Sequence, residues 1–167
     1  GKYWDPVRGF VKRVSVDPGV DAVSMVKWFV KMTNLEAVDS LIIPPSTTSV
    51  SALFSECYSL RELPSGFTMP DTVQTCSHMF QYCSSLAELP DSFRISNNIY
   101  DNLNGFSVMF QGCSSLKRLP EGFEIPENTQ VNSFSGMFQY CSSLEGLPQG
   151  FKPVSFTQLT LPTILRV

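Results

Sequence analysis

The sequence predicts an α/β repeat protein, a right-handed solenoid of short parallel strands and short helical turns. Two observations predict it. One phrase is spelled out four times, as FSECYSLRELPSGF from Phe54, FQYCSSLAELPDSF from Phe80, FQGCSSLKRLPEGF from Phe110 and FQYCSSLEGLPQGF from Phe138. The leading phenylalanines recur at a nearly constant step. At such a step a unit too small to bury its own apolar residues does so by stacking on its neighbours. The second observation is that Pro and Gly fall at fixed positions of the phrase, where they mark turns and not disorder.

The elements follow in chain order, within a single solenoid domain spanning 1–167. Residues 1–28 form an N-terminal cap and partial repeat, in which Val11, Val14 and Val16 imitate the second half of a unit. Residues 29–53 are a degenerate repeat. Phe29 takes the Phe slot, Met32 the Cys slot, and Leu35 and Val38 the Leu slots, one repeat step before Phe54. Four full repeats occupy 54–151, and 152–167 is a C-terminal cap or the point where the chain is cut. Degeneration toward one end is expected of a cap whose outer face meets water.

Within the unit 106–123, Phe106, Met109, Phe110 and Cys113 are spaced by three, one and three. That pattern predicts one inward face of a short helix or a tight 3₁₀-like turn. Ser114 and Ser115 end it, because short hydroxyl side chains compete for neighbouring backbone groups. Leu116-x-x-Leu119 opens an extended run, Pro120 turns a corner, and Phe123-x-Ile125 resumes an inward alternation.

Composition narrows the function classes. The net charge of −3 is uneven: segment 1–31 carries six Lys/Arg against three acidic residues, the remainder six against twelve. No basic stripe with interleaved aromatics is present, which argues against nucleic acid. No apolar run approaches the ~20 residues of a membrane helix, so no membrane insertion is expected.

Cys57, Cys83, Cys113 and Cys141 share one slot, which Met32 fills in the weak copy, and Cys76 stands where Phe106 and Phe134 stand. Apolar volume is therefore what the slot asks for, and the thiols are read as reduced core. A metal site lacks any Cys-x-x-Cys and has one histidine to draw on. That histidine, His78, occupies a slot that accepts Val108 and Gly136, so exposure or neutral packing is its expected role. The Ser pairs lack a nucleophile-elbow context, and no calcium loop is present. No enzyme and no cofactor are predicted.

The recurring Phe-x-x-Cys-Ser-Ser-Leu-x-x-Leu after Ser-x-Met resembles the BspA-like leucine-rich repeats of bacterial surface proteins, including the variant found in mycoplasma lipoprotein-associated repeats. The likeness runs strongly from Val50 to Phe151 and weakly from Met25 to Leu53. Leu-Pro replaces Leu-x-Leu, which implies a shorter strand, and residues 96–105 exceed the usual spacing, which implies a bulging loop. The resemblance implies an extracellular or cell-surface bacterial module for recognition or adhesion, with a protein or glycan as partner and no fixed catalytic residues. Specificity would come from slots that differ between copies: Tyr58, Arg61, Glu62, Tyr82, Glu88, Lys117, Arg118, Tyr140 and Glu145. Ordinary solvated surface is the competing reading for these positions. An architectural role, as spacer or fibre tip, is the competing function, with the apolar tail Leu159–Val167 available for self-association.

Overall fold

The computed structural model describes residues 5–100, 105–125 and 134–151. The units stack as the repeat demands, but the Phe-x-x-Cys stretch is not helical. It runs as consecutive four-residue turns: Met79 N–H donates to Cys76 C=O at 3.2 Å, Gln81 to His78 at 3.1 Å and Cys83 to Phe80 at 3.0 Å. The alternate amides leave the coil altogether. Cys76, His78, Phe80 and Tyr82 donate to Gly105, Ser107, Met109 and Gln111 of the next unit at 2.7–3.0 Å. A helix cannot do this, because its amides are all spent within one segment.

What makes the alternation possible is a left-handed residue at every fourth position. Lys27 and Lys31, Ala52 and Glu56, His78 and Tyr82, Val108 and Gly112, and Gly136 and Tyr140 all have φ between 49° and 76°. Each stands third in a turn closed by an i to i+3 bond, where a type II turn requires positive φ. Side chains other than glycine adopt this region at a cost of roughly 1–2 kcal/mol each, and the β-branched Val108 at 49° is the most strained in kind. The inter-unit amide ladder holds them there. The expected short helical turns are thus corrected to a turn ladder; the apolar spacing of three, one and three is met equally well by it. Among the described residues the one helical element is a 3₁₀ turn, Arg8–Phe10, outside the repeats.

Parallel pairing is present but short. Strand β1 (Arg13–Ser15) pairs in parallel with β2 (Ala37–Ser40), and beyond them only an isolated parallel bridge, Ala37 to Glu62, continues the sheet. Later units keep single amide bonds, Lys117 to Ala87 and Glu145 to Lys117, both 2.9 Å. Among the described residues, the strands expected in every unit therefore shrink to the first two, since Leu-Pro removes a donor and fixes φ where the run would extend.

The core is built of columns. Phe29, Phe54, Phe80, Phe110 and Phe138 stack with centroids 5.4–5.7 Å apart and planes within 15°. A second column, Phe67, Phe93, Phe123 and Phe151, stacks at 5.8–6.2 Å. Edge-to-face contacts such as Phe80–Phe93 at 5.9 Å lock the columns together. Leu35, Leu60, Leu86, Leu116 and Leu144 form a fully buried third file. Val11, Val14 and Val16 pack against the core, while Phe10 is 84% exposed.

The cysteines are free and buried, as read from the sequence. The slot does more than fill volume, however. Cys57, Cys83, Cys113 and Cys141 each donate Sγ–H to the carbonyl of the preceding unit's phenylalanine (Phe29, Phe54, Phe80 and Phe110) at 3.0–3.2 Å. The same carbonyls also accept the amide of the turn's fourth residue, so the thiol uses their second lone pair. Apolar volume alone is an incomplete account: Met32 offers no such proton.

Ser96 opens the long inter-repeat segment and is buried, donating to Val73 C=O at 2.6 Å, and Asn97 and Asn98 both grip Asp71. The centre of the expected bulge, 101–104, lies outside the described residues, as does the C-terminal segment 152–167 with its expected cap and self-association surface.

Replacing Leu116 by Ala is expected to cost roughly 2–5 kcal/mol in denaturant unfolding, by lost burial plus cavity; a cost below ~0.5 kcal/mol would place this slot outside the core. A second expectation concerns alkali. Burial pushes the Cys57 and Cys141 thiols from 9.0 up to about 12, and Cys76, Cys83 and Cys113 upward as well. Below the unfolded pKa both states hold these protons, so the stabilisation is fully present. Above about pH 9 the unfolded chain releases them and the folded one does not, so stability falls by up to ~1.4 kcal/mol per pH unit for each thiol. Unfolding midpoints measured across this range should decline, more shallowly in Cys113→Ser, and native thiols should resist alkylation until the chain unfolds. Rapid alkylation of native protein would contradict it.

Candidate functional site

Each unit presents two stretches of variable surface. The strand edge carries the residues that follow the first leucine. Lys12, Glu36 and Arg61 lie in one column, joined by amide bonds from Glu36 to Lys12 and from Arg61 to Glu36, and Lys117 and Glu145 continue the file beyond Ala87. Of the nine sequence-predicted positions, Arg61, Glu62, Glu88, Lys117, Arg118 and Glu145 belong here, and all are exposed. Much of the charge on this edge is answered internally. Arg118 meets Glu88 at 3.0 Å, Lys12 meets Glu36 at 3.7 Å, and Arg13 binds Asp39 through both nitrogens of its fork. The hydrogen bond from Arg13 holds the Asp39 carboxyl below its ordinary value. Exposed pairs of this kind add little stability.

The turn ladder carries the other three positions. Tyr58, Tyr82 and Tyr140 are 42%, 37% and 64% exposed. Tyr82 and Tyr140 hold the left-handed slot that Lys31, Glu56 and Gly112 fill in the other units. In that slot the side chain points away from the core, because the buried Phe and Cys on either side already fill the interior. Gly112 explains where the Tyr82 ring goes. A Cβ on Gly112 would lie 2.2 Å from Tyr82 Cδ1, so the ring rests on the space that glycine leaves. Tyr58 OH donates to Glu56 at 3.4 Å, and partial burial first, then the Glu56 charge, hold its phenol above the ordinary value. The nine predicted positions thus fall on two backbone elements.

Sequence reasoning missed three features of the turn ladder. Gln81 donates to Gln111 at 2.7 Å, and Gln111 donates in turn to Gln139, a side-chain ladder one residue before the tyrosine column. Its signal was present, since glutamine recurs in one slot of three copies. The left-handed columns were signalled by Gly112 and Gly136 standing where other copies carry bulky residues. The third feature is a groove of about 580 Å³ across the first three units, lined by Val26, Lys27, Lys31, Ala52, Glu56 and His78 together with the hydroxyls of Ser51, Ser55 and Ser77. No sequence signal marked it, because its walls come from three different coils. Burial, and then the Lys27 charge, hold the His78 imidazole below its usual range.

No protein-family model matches the sequence, and no curated protein matches it. Among solved structures, the chain is similar to a leucine rich cell surface protein from Faecalibacterium prausnitzii A2-165, with a TM-score of 0.53, 20% identity and 82% of this chain covered. It spans 31% of that protein's length. It is also matched to a leucine-rich repeat protein from Bacteroides ovatus ATCC 8483 (TM-score 0.42, 20% identity, 84% of this chain and 40% of that one). A third match is a T. pallidum leucine rich repeat protein (TM-score 0.36, 19% identity, 80% and 78%). The first likeness gives the fold: this is a leucine-rich-repeat solenoid.

Gly112→Ala should force the Tyr82 ring from its seat and place a side chain at a φ of 76°. The expected loss is roughly 1–3 kcal/mol in thermal or denaturant unfolding. A loss below ~0.5 kcal/mol would mean that the ring is not seated there.

Proposed function

We propose that the chain is a recognition module of a bacterial cell-surface protein, of the BspA-like type, that engages a protein or glycan through the exposed side chains of its turn ladder. The observation that carries this reading is the set of Tyr58, Tyr82 and Tyr140, large rings left in solvent on a scaffold whose core is closed without them. Tyrosine buries much area at little entropic cost, and such residues serve as anchors in binding sites. The fold likeness to a leucine rich cell surface protein supports the location. The strand-edge positions Arg61, Glu62, Glu88, Lys117, Arg118 and Glu145 form a second, weaker candidate surface, because Glu88 and Arg118 already satisfy each other. That internal neutralisation favours the alternative reading, a structural spacer or tip within a larger surface protein.

Tyr140 gives the cleaner test, since it is 64% exposed, whereas Tyr82 also covers Gly112. In a binding screen against immobilised glycans and extracellular proteins, Tyr140→Ser should weaken a hit by about tenfold or more with an unchanged melting temperature. Full binding by both Tyr140→Ser and Tyr82→Ser, with a lowered melting temperature in either, would make the rings scaffold and shift the reading to the spacer role.

A further inference from the structure

The groove across the first three units lies on the same turn ladder as the tyrosines, but none of the nine predicted positions lines it. Its shape comes from a difference in side-chain size between coils. The middle unit presents only Ser51, Ala52, Ser55 and Glu56 toward it, while Lys27 and Lys31 stand in the unit before and His78 and Gln81 in the unit after. Small residues thus make most of the floor and long ones make walls. Its volume of about 580 Å³ falls in the range of small-ligand sites.

One wall carries two lysines, and the other carries the imidazole of His78. Lys27 makes no ion pair with any described carboxylate, whereas Lys31 is matched by Glu56 at 3.9 Å. Lys27 is close enough to act on the imidazole of His78. Glu56 is the one carboxylate among the described residues of the lining, so the Lys31 end is neutral and Lys27 leaves the end beside His78 positive. Of the six basic residues of segment 1–31, only Lys27 and Lys31 line the groove, while Lys12 and Arg13 lie on the strand edge and answer Glu36 and Asp39.

The floor carries two hydroxyl clusters. Ser77 Oγ donates to Ser51 Oγ at 3.2 Å, Ser51 Oγ shares a proton with Thr75 Oγ1 at 3.1 Å, and Ser55 Oγ donates to Gln81 at 3.3 Å. Hydroxyls can turn to donate or accept, as the vicinal hydroxyls of a sugar require. The backbone offers a peptide little by comparison. The amides of Lys27, Lys31, Ala52, Glu56 and His78 are all spent on the neighbouring coil, so no free strand edge lies here for a peptide to extend.

The geometry points to this groove as a binding site for an acidic sugar, with the carboxylate or sulfate held between Lys27 and His78 and the sugar hydroxyls on Ser51, Ser55, Ser77 and Gln81. The inference concerns different residues from the tyrosine surface and stands on its own measurement. His78 is the only histidine in the chain, so its Hε1 resonance is an unambiguous NMR signal at the site. Titration with glucuronate should shift that signal saturably and raise its titration midpoint, with affinity increasing as the imidazole protonates; glucose should not shift it. Lys27→Ala should weaken binding by about tenfold without loss of fold, since Ala52 occupies the same left-handed slot in the next unit. Lys31→Ala, which removes a lysine already paired, should weaken it less than Lys27→Ala. The proposal is overturned if glucuronate gives no saturable shift, if glucose shifts the signal equally, or if Lys27→Ala binds as the parent does. Tighter binding of an aspartate-rich peptide than of glucuronate would overturn the sugar assignment.

Discussion

The structure depends on how the amides of the turn ladder are divided. Alternate N–H groups close turns within their own coil and the others cross to the next coil. Both sets are satisfied, as buried backbone requires. The division has a conformational cost, because it needs two left-handed residues per unit and most of them are not glycine. Eight non-glycine residues hold positive φ in the described units, which only a cooperative ladder could enforce. Stacking is therefore the condition for local structure as well as for burial. An isolated unit would have neither the partner coil for its crossing amides nor a reason to keep its strained residues.

That constraint reaches into the core. The crossing amides fix one coil over the next, and the rings respond by stacking offset in columns, with edge contacts between columns. The thiols belong to the same arrangement. A small buried donor beside the preceding coil's phenylalanine carbonyl adds one more bond between units. Burial then keeps these thiols protonated, which suits a packing role and disfavours nucleophilic chemistry.

The same constraint frees the surface. With backbone and core satisfied by the repeat, the outward slots of the turn ladder can hold Lys, Glu, Tyr, Val or Gly without altering the coil. Function in such a scaffold is read from differences between coils. A small residue beside larger neighbours makes a groove at Ala52, and a glycine makes a seat for a ring at Gly112. The strand edge, whose charges largely answer one another, uses the same freedom for self-neutralisation.

The sequence by itself determined the repeat, the unit length, the inward residues and the reduced state of the cysteines, since each follows from recurrence in register. Phe106, Met109, Phe110 and Cys113 are fully buried, as their spacing demanded. It also singled out outward positions that are all exposed. Tertiary structure decided the conformation of the coil. Spacing of three, one and three suits a helix and a turn ladder alike, and the choice is made by amides that find partners about one repeat away in sequence. It also decided which surface residues meet. Lys27 and His78 belong to coils two repeats apart in the sequence, and only stacking, with a unit of mostly small side chains between them, sets them across one groove.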